Sequence, residues 1–414
     1  MEVHFFKPDI DEDDIQAVVE TLRSGWLTSG PQVIQFEREF AEAVRARHAV
    51  AVNSCTAALH LAVEALGLKR GQGVLVPAMT FAATAEVVCY KGAVPILIDC
   101  DARTGNLDLA DAERVLNRSR TLPPGIPRGV EIVGMILVHV GGNMIDTAAA
   151  ARLAAQYGIW VIEDAAHAFP AALRDETGAG WRQCGEDTSA VTCFSFYANK
   201  TITTGEGGMA VTSRPEIADR MRLMSLHGMS GDGWARHTNR GSWDYKIIAP
   251  GFKYNLTDIA AALGRQQLRR AEAMRLKREE TALHYLEALK DLPELSLPPV
   301  SPDRIQSWHL FPIRLNLEAS SIDRDQFVSE LRGAGVGCSV HWRPLHLHPY
   351  YQEAFGWRPE HLPTASLEWG RLISLPIFPG IRPEQIEYVE GAVRTICASN
   401  RQGDCASARR RSAV

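Results

Sequence analysis

The sequence predicts an α/β protein: a large domain with a mostly parallel sheet covered by helices, followed by a smaller α+β C-terminal domain. Three observations predict it. Short apolar strands alternate with helical stretches from His48 to Phe194, the pattern of a sheet with helices on both faces. The chain has 414 residues, too many for one ordinary core. Past Pro215 the alternation stops, and a long polar loop, a long helix and a mixed remainder follow. With 46% apolar and 22% charged residues, there is material for a buried sheet under a soluble surface. The expected division is 1–260 for the large domain with its N-terminal lead-in, 261–397 for the small domain, and 398–414 for a disordered, Ser/Ala/Arg-rich tail.

In order, residues 8–47 read as a lead-in: a helix near Asp11 to Ser24, a turn over Gly25-Trp26-Leu27-Thr28-Ser29-Gly30-Pro31, and a second amphipathic helix to Arg47. Strands are expected at His48 to Val52, Val74 to Pro77, Val94 to Asp99, Ile132 to His139, Ile159 to Asp164, Ala190 to Phe194 and Met209 to Val211. In such sheets the chemistry sits at the carboxyl ends of the strands. The first end, Asn53-Ser54-Cys55-Thr56, opens an Ala/Leu helix. Amides at a helix N-terminus, joined by the Ser54 and Thr56 hydroxyls, make a phosphate cradle; a plain Ser/Thr cap is the alternative. After Pro77-Ala78-Met79-Thr80, Phe81 is placed to lie flat over a planar ring.

The third end is Glu163-Asp164-Ala165-Ala166-His167. A carboxylate at the tip of a buried strand is costly without a positive partner, and a protonated pyridine nitrogen is one. His167 is placed to reach that ring's oxygen. The fourth end, Phe194-Ser195-Phe196 followed by Lys200 and Gly205-Glu206-Gly207-Gly208, offers a hydroxyl, then a lysine held against the sheet. Only a neutral amine attacks an aldehyde, so burial must lower this lysine's ordinary pKa of about 10.4. Singly each signal has a plain structural reading; their succession at adjacent strand ends is what points to one site.

Beyond Pro215 come a helix from Glu216 to Leu226, a polar loop from His227 to Tyr245, and a long helix capped by Thr257 and running to about Lys290. The small domain is expected to hold strands at Trp308 to Leu315 and Val336 to His341 and helices at Arg324 to Gly333 and Pro383 to Cys397. For the His/aromatic stretch 339–351, with His341 and His346, two readings stand: substrate contact, or a surface loop. A metal site is discounted, because Pro344 and Pro349 break the periodicity that would align the histidines.

A net charge of −5 gives no electrostatic case for nucleic acid. No apolar run approaches the ~20 residues of a membrane span, and Met1 to Asp14 is acidic with no apolar h-region. The eight cysteines are scattered without a CxxC pair, as reduced thiols are. A cytoplasmic protein is expected.

On these stretches, together with Tyr254-Asn255-Leu256-Thr257-Asp258 and Ser374-Leu375-Pro376, the chain from about Phe5 to Ile396 resembles the DegT/StrS-type nucleotide-sugar aminotransferases, pyridoxal-phosphate (PLP) enzymes of fold type I. The resemblance implies that Lys200 forms the Schiff base and Asp164 partners the pyridine nitrogen. It places Ser54, Cys55, Thr56 and Ser195 at the phosphate, Phe81 on the ring and His167 by its oxygen. It implies that Asn255 reaches the neighbouring subunit's cofactor, hence a homodimer with shared active sites, and makes Thr28, Ser29, His341 and His346 the candidate substrate contacts. Cys55 stands where glycine is commoner, and Ser366 where many members have Glu. The implied reaction takes an amino group from glutamate to a nucleotide-linked keto sugar, a UDP-4-keto sugar of surface polysaccharide or lipopolysaccharide synthesis. The alternatives are a cyclitol or dTDP-keto-sugar aminotransferase of antibiotic synthesis and a non-catalytic PLP-binding regulator. A sugar dehydratase on the same scaffold would carry His in place of Lys200.

Overall fold

A computed structural model describes residues 1–186, 189–229 and 245–402. Helices α1 (Glu12–Ser24) and α2 (Pro31–Ala43) lead in. The chain then runs β1 (His48–Val52), α3 (Cys55–Ala65), β2 (Gly73–Pro77), α4 (Ala83–Tyr90), β3 (Val94–Ile98), α5 (Leu109–Leu116), β4 (Ile132–Val138), α6 (Thr147–Tyr157) and β5 (Trp160–Asp164). After the short β6 (Ala172–Arg174) and β7 (Trp181–Gln183) come β8 (Val191–Ser195), β9 (Gly208–Thr212) and α7 (Pro215–Ser225).

The central sheet has the order β1-β9-β8-β5-β4-β2-β3. Neighbours from β8 to β3 pair in parallel, and β9 is antiparallel to both β1 and β8. Every residue of β2, β3 and β9 is buried, because helices cover both faces. Such strands read as continuous apolar runs. The consequence for the site is directional. The carboxyl ends of β1, β2, β4, β5 and β8 all reach the same edge.

Capping explains where the helices begin. Asp11 caps α1 in a reciprocal box with Asp14, and Ser54 Oγ accepts from the Ala57 amide at 3.1 Å to start α3. Asp258 receives the amides of Gly30, Val33 and Gln32 at 2.7, 3.0 and 3.2 Å, so a carboxylate far along the chain stands at the N-terminus of α2.

The long helix α8 (Asp258–Leu289), capped by Thr257, serves two cores. Its Ala261 and Ala271 pack with α2 and β9 residues, whereas Ala282, Tyr285 and Leu289 pack with the C-terminal sheet. That sheet has the order β10 (Leu295–Ser296), β12 (Phe311–Leu315), β13 (Leu372–Leu375), while β11 (Arg304–Ile305) pairs with β6. Helices α9 (Arg324–Gly333), α10 (Pro349–Phe355), α11 (Pro363–Trp369) and α12 (Pro383–Ser399) complete the chain. Val3 joins this second core, bridging to Val336, and residues 345–372 pack on the first.

Three expectations need correction. Val336 to His341 is not a strand: only isolated bridges form, Val3 to Val336 and Ser339 to Ser374, and Leu372–Leu375 takes the place beside β12 instead. The strand begun at Trp308 starts at Phe311, since Trp308 has φ +50°, outside the extended region. Ala398 and Ser399 belong to α12 rather than to a tail; residues 403–414 lie outside the described residues, as does most of the His227 to Tyr245 loop. Among the described residues, no helix is long and apolar enough to cross a membrane.

Candidate active site

At the carboxyl edge of the sheet lies a cavity of about 370 Å³, lined among others by Ser54, Cys55, Thr56, Phe81, Asp164, His167, Ser195, Lys200 and His341. Nine of the residues singled out from sequence thus meet at one place.

The floor is built by close backbone packing. A Cβ on Gly208 would lie 2.5 Å from the Ser54 carbonyl carbon and 2.6 Å from the Cys55 nitrogen, so β9 can press against the start of α3 only as glycine. The first bond inside α3 is Ala58 N–H to the Ser54 carbonyl at 3.1 Å. The amides of Cys55 and Thr56 precede it and are available to an anion.

Asp164 ends β5, beside Val138 of β4 and Cys193 of β8. It is 6% exposed. Thr84 Oγ1 donates to its Oδ2 at 2.8 Å, and the Ala166 amide to Oδ1 at 3.2 Å; the Cys55 thiol lies 3.9 Å from Oδ1. Burial pushes its pKa up, against the lowering by Thr84 and Ala166. Among the described residues no ion pair reaches it within 4 Å, so a buried carboxylate faces the cavity with a charge to be matched. Its neighbour Glu163 points the other way, where His139 Nε2 lies 2.8 Å from Oε2 and the Ile145 amide donates to His139 Nδ1 at 3.3 Å. Glu163, His139 and Cys184 are grouped closely enough to hold a metal. Both nitrogens of His139 are already engaged, and His139 and Glu163 read as a packed hydrogen-bonded pair with Cys184 buried beside them.

Lys200 lies between β8 and β9. Burial lowers its pKa to about 8, with Arg278 adding to the shift and Cys55 and Asp164 opposing it. At pH 7 that leaves roughly 10% of the amine neutral, against under about 0.1% for a free lysine. The residue therefore has the protonation behaviour that nucleophilic addition requires.

Imidazoles and an indole also line the cavity. His167 Nδ1 accepts from the Gly141 amide at 3.3 Å, which assigns the proton to Nε2. Its ring is 4.1 Å from that of His309 and stacks on Trp342 at 5.0 Å. His341 Nδ1 is 2.9 Å from Ser374 Oγ, and its ring stacks on Phe5. Burial drives His167 and His309 well below the ordinary histidine value and His341 to about 4. Phe81 lines the cavity and is 64% exposed, so its ring is available to a flat ligand.

Four expected residues lie elsewhere. His346 is fully buried against Ser366 Oγ at 2.7 Å; its neighbours are protein, and it is not brought to the cavity. Thr28, Ser29 and Asn255 form a separate cluster. Asn255 Nδ2 donates to Ser29 Oγ at 2.7 Å, Ser29 Oγ donates to the Leu256 carbonyl, and the Asp258 amide donates to the Thr28 carbonyl at 3.2 Å. Conversely, Tyr197, Asn199, Glu206, His309 and Trp342 line the cavity without having been singled out. The first three lie inside the stretch around Lys200 and could have been read from it. His309 and Trp342 arrive from the C-terminal part of the chain, and nothing local marks them.

The donor set fits PLP: free amides and hydroxyls for a phosphate, a buried carboxylate lacking a cation, an exposed aromatic ring, and an amine of lowered pKa. Comparison with known proteins agrees. The model of the DegT/DnrJ/EryC1/StrS aminotransferase family matches residues 8–394. The spore coat polysaccharide biosynthesis protein SpsC of Bacillus subtilis is 41% identical over 390 residues, 94% of this chain and 95% of that one. The putative sugar aminotransferase Spr1654 of Streptococcus pneumoniae, in its PMP-form, superposes with a TM-score of 0.85 at 29% identity, over 96% of this chain and 99% of that chain; its PLP-form gives the same TM-score. Helicobacter pylori PseC, an aminotransferase involved in the biosynthesis of pseudoaminic acid, gives 0.84 at 25% identity, over 96% and 100%.

Proposed function

The chain belongs to the DegT/DnrJ/EryC1/StrS aminotransferase family, and on that premise we propose that it moves an amino group from glutamate to the keto carbon of a nucleotide-linked sugar, a UDP-4-keto sugar destined for a surface polysaccharide. It is a PLP-dependent transaminase. The observation that carries the reading is the convergence of Lys200, Asp164 and the start of α3 on one cavity. SpsC, by its name, serves spore coat polysaccharide biosynthesis, and PseC the biosynthesis of pseudoaminic acid; the first supports a sugar for the surface over an antibiotic cyclitol. The seven free cysteines among the described residues suit the reducing cytoplasm.

The residues would divide the work. The amides of Cys55 and Thr56, with the hydroxyls of Ser54, Thr56 and Ser195, would hold the phosphate. Asp164 would pair with the pyridine nitrogen and keep it protonated. His167 Nε2–H would be the donor for the ring oxygen, and Phe81 would cover the ring and exclude water from it. When bound, PLP supplies the electron sink that makes the donor's α-C–H bond acidic. Lys200 Nζ takes that α-proton as general base and later returns a proton as its ammonium form. Because the donor's product leaves before the keto sugar is aminated, ping-pong kinetics are expected.

His341, at the cavity, is the proposed substrate contact from the small domain. Thr28, Ser29 and Asn255 serve across a homodimer interface in this proposal, Asn255 reaching the partner's phosphate. Assay of the purified holoenzyme with glutamate against UDP-, dTDP- and GDP-linked keto sugars and scyllo-inosose tests the substrate. Turnover of a UDP-4-keto sugar is expected; turnover of the cyclitol alone would overturn it.

A further inference from the structure

A second, much smaller cavity adjoins the first. It measures about 10 Å³ and is walled by Lys200, Thr201, Ser195, His167, Phe169 and His309, among others. That is room for the centre of one water molecule. Lys200, Ser195, His167 and His309 line both cavities.

His309 is the unusual member of this wall. It is 5% exposed, and its Nδ1 meets no hydrogen-bond partner among the described residues. An imidazole nitrogen buried without a partner is costly, and a water with two to four polar neighbours is the usual remedy.

The segment carrying the ring is held firmly. Trp308, just before it, has φ +50°, a strained conformation for so bulky a residue. Arg278 is itself 2% exposed and donates from Nη1 to the carbonyls of Ile377, Trp308 and His309 at 2.8, 3.4 and 3.5 Å. The amides of Ser307 and Leu310 donate to the carbonyls of Gly142 and Gly141, both at 3.3 Å, and Ser307 Oγ donates to the His167 carbonyl. A Cβ on Gly142 would fall 1.9 Å from Ser307 Oγ, so that approach requires glycine. Strain at Trp308 and a buried guanidinium are spent on fixing one histidine beside Lys200.

We propose that one ordered water occupies the small cavity and bridges His309 Nδ1 to the Lys200 amine, which makes His309 a positioning residue for proton transfer by Lys200. The water donates one hydrogen to Nδ1 and accepts an N–H from Nζ, leaving the amine's lone pair to the large cavity. No proton is transferred to the histidine, which burial holds neutral. With the cofactor bound and the amine free, the same water would hold Nζ within reach of the donor's α-carbon. The role assigned to Lys200 rests on the function proposed above; the water itself does not.

Two measurements separate the two. High-resolution diffraction from the cofactor-free protein should show one water within hydrogen-bond reach of both His309 Nδ1 and Lys200 Nζ; a cavity without ordered density would overturn the proposal whatever the enzyme's substrate. In the holoenzyme, His309→Phe removes the acceptor and should lower kcat about three- to tenfold, the worth of one hydrogen bond, with KM for both substrates unchanged. His309→Asn places an amide near the Nδ1 position and should restore kcat to within about twofold of wild type. Equal impairment in Phe and Asn variants, or wild-type kcat in His309→Phe, would contradict it. If borohydride fixes no cofactor on Lys200 in the wild type, the parent reading fails instead.

Discussion

At Lys200 the deciding quantity is desolvation. It outweighs the nearby Asp164 carboxylate and brings the pKa from 10.5 to about 8. In the cofactor-free protein the neutral fraction, and with it the rate of covalent PLP capture, should rise about tenfold per pH unit below that value and level off above it. Stopped-flow capture between pH 6 and pH 10, at about unit steps, checks this; a rise continuing to pH ~10 would mean a solvated lysine. The histidines of the wall are held neutral by burial, so no histidine limb is expected in the same profile at about pH 5–8. Much of this was legible in the sequence, because Lys200, Asp164, Ser195 and Ser54 each stand at a strand end that the alternation of elements locates. His309 was not legible. Its importance comes from a missing partner and an adjoining cavity, both of which exist only once residues far apart in the sequence have been packed together. His346 shows the converse: a histidine in a His-rich stretch is buried against Ser366, and no periodicity distinguishes it from His341.

The element on which the site depends is the contact between β9 and the start of α3. A Gly208→Ala variant would put its Cβ 2.5 Å from the Ser54 carbonyl carbon, where the obstacle is backbone and cannot rotate aside. It should lose about 1–3 kcal/mol of stability and weaken PLP affinity by roughly tenfold or more, read from thermal melting and cofactor titration. Unchanged affinity would mean that the α3 N-terminus does not hold the phosphate. The parallel strands were readable because burial on both faces makes them uniformly apolar. The small sheet was not: Val336 to His341 reads as a strand yet makes only isolated bridges, while the short run Leu372–Leu375 forms the strand. Which of two similar segments pairs with β12 is decided by tertiary packing, a known limit of local β signals.

For the whole molecule, the cluster of Asn255, Ser29 and Thr28 lies outside its own chain's cavity lining, and in a homodimer with shared sites it would complete the partner's. Mixed dimers of Lys200→Ala and Asn255→Ala chains test this. If Asn255 acts across the interface, one of the two sites in each mixed dimer is wild type, and activity should return to about half per mixed dimer; if it acts within its own chain, mixing two impaired proteins restores nothing. The extent of the fold was legible from length and alternation, but α8 joins two cores, and a boundary inside a continuous helix leaves no mark in composition. All of this stands on Lys200 being the residue that holds the cofactor. The most direct test is to load the purified protein with PLP, reduce it with borohydride and map the modified peptide by mass spectrometry. One pyridoxyl group on Lys200, absent in Lys200→Ala, is expected; a group on another lysine, or none, would contradict it.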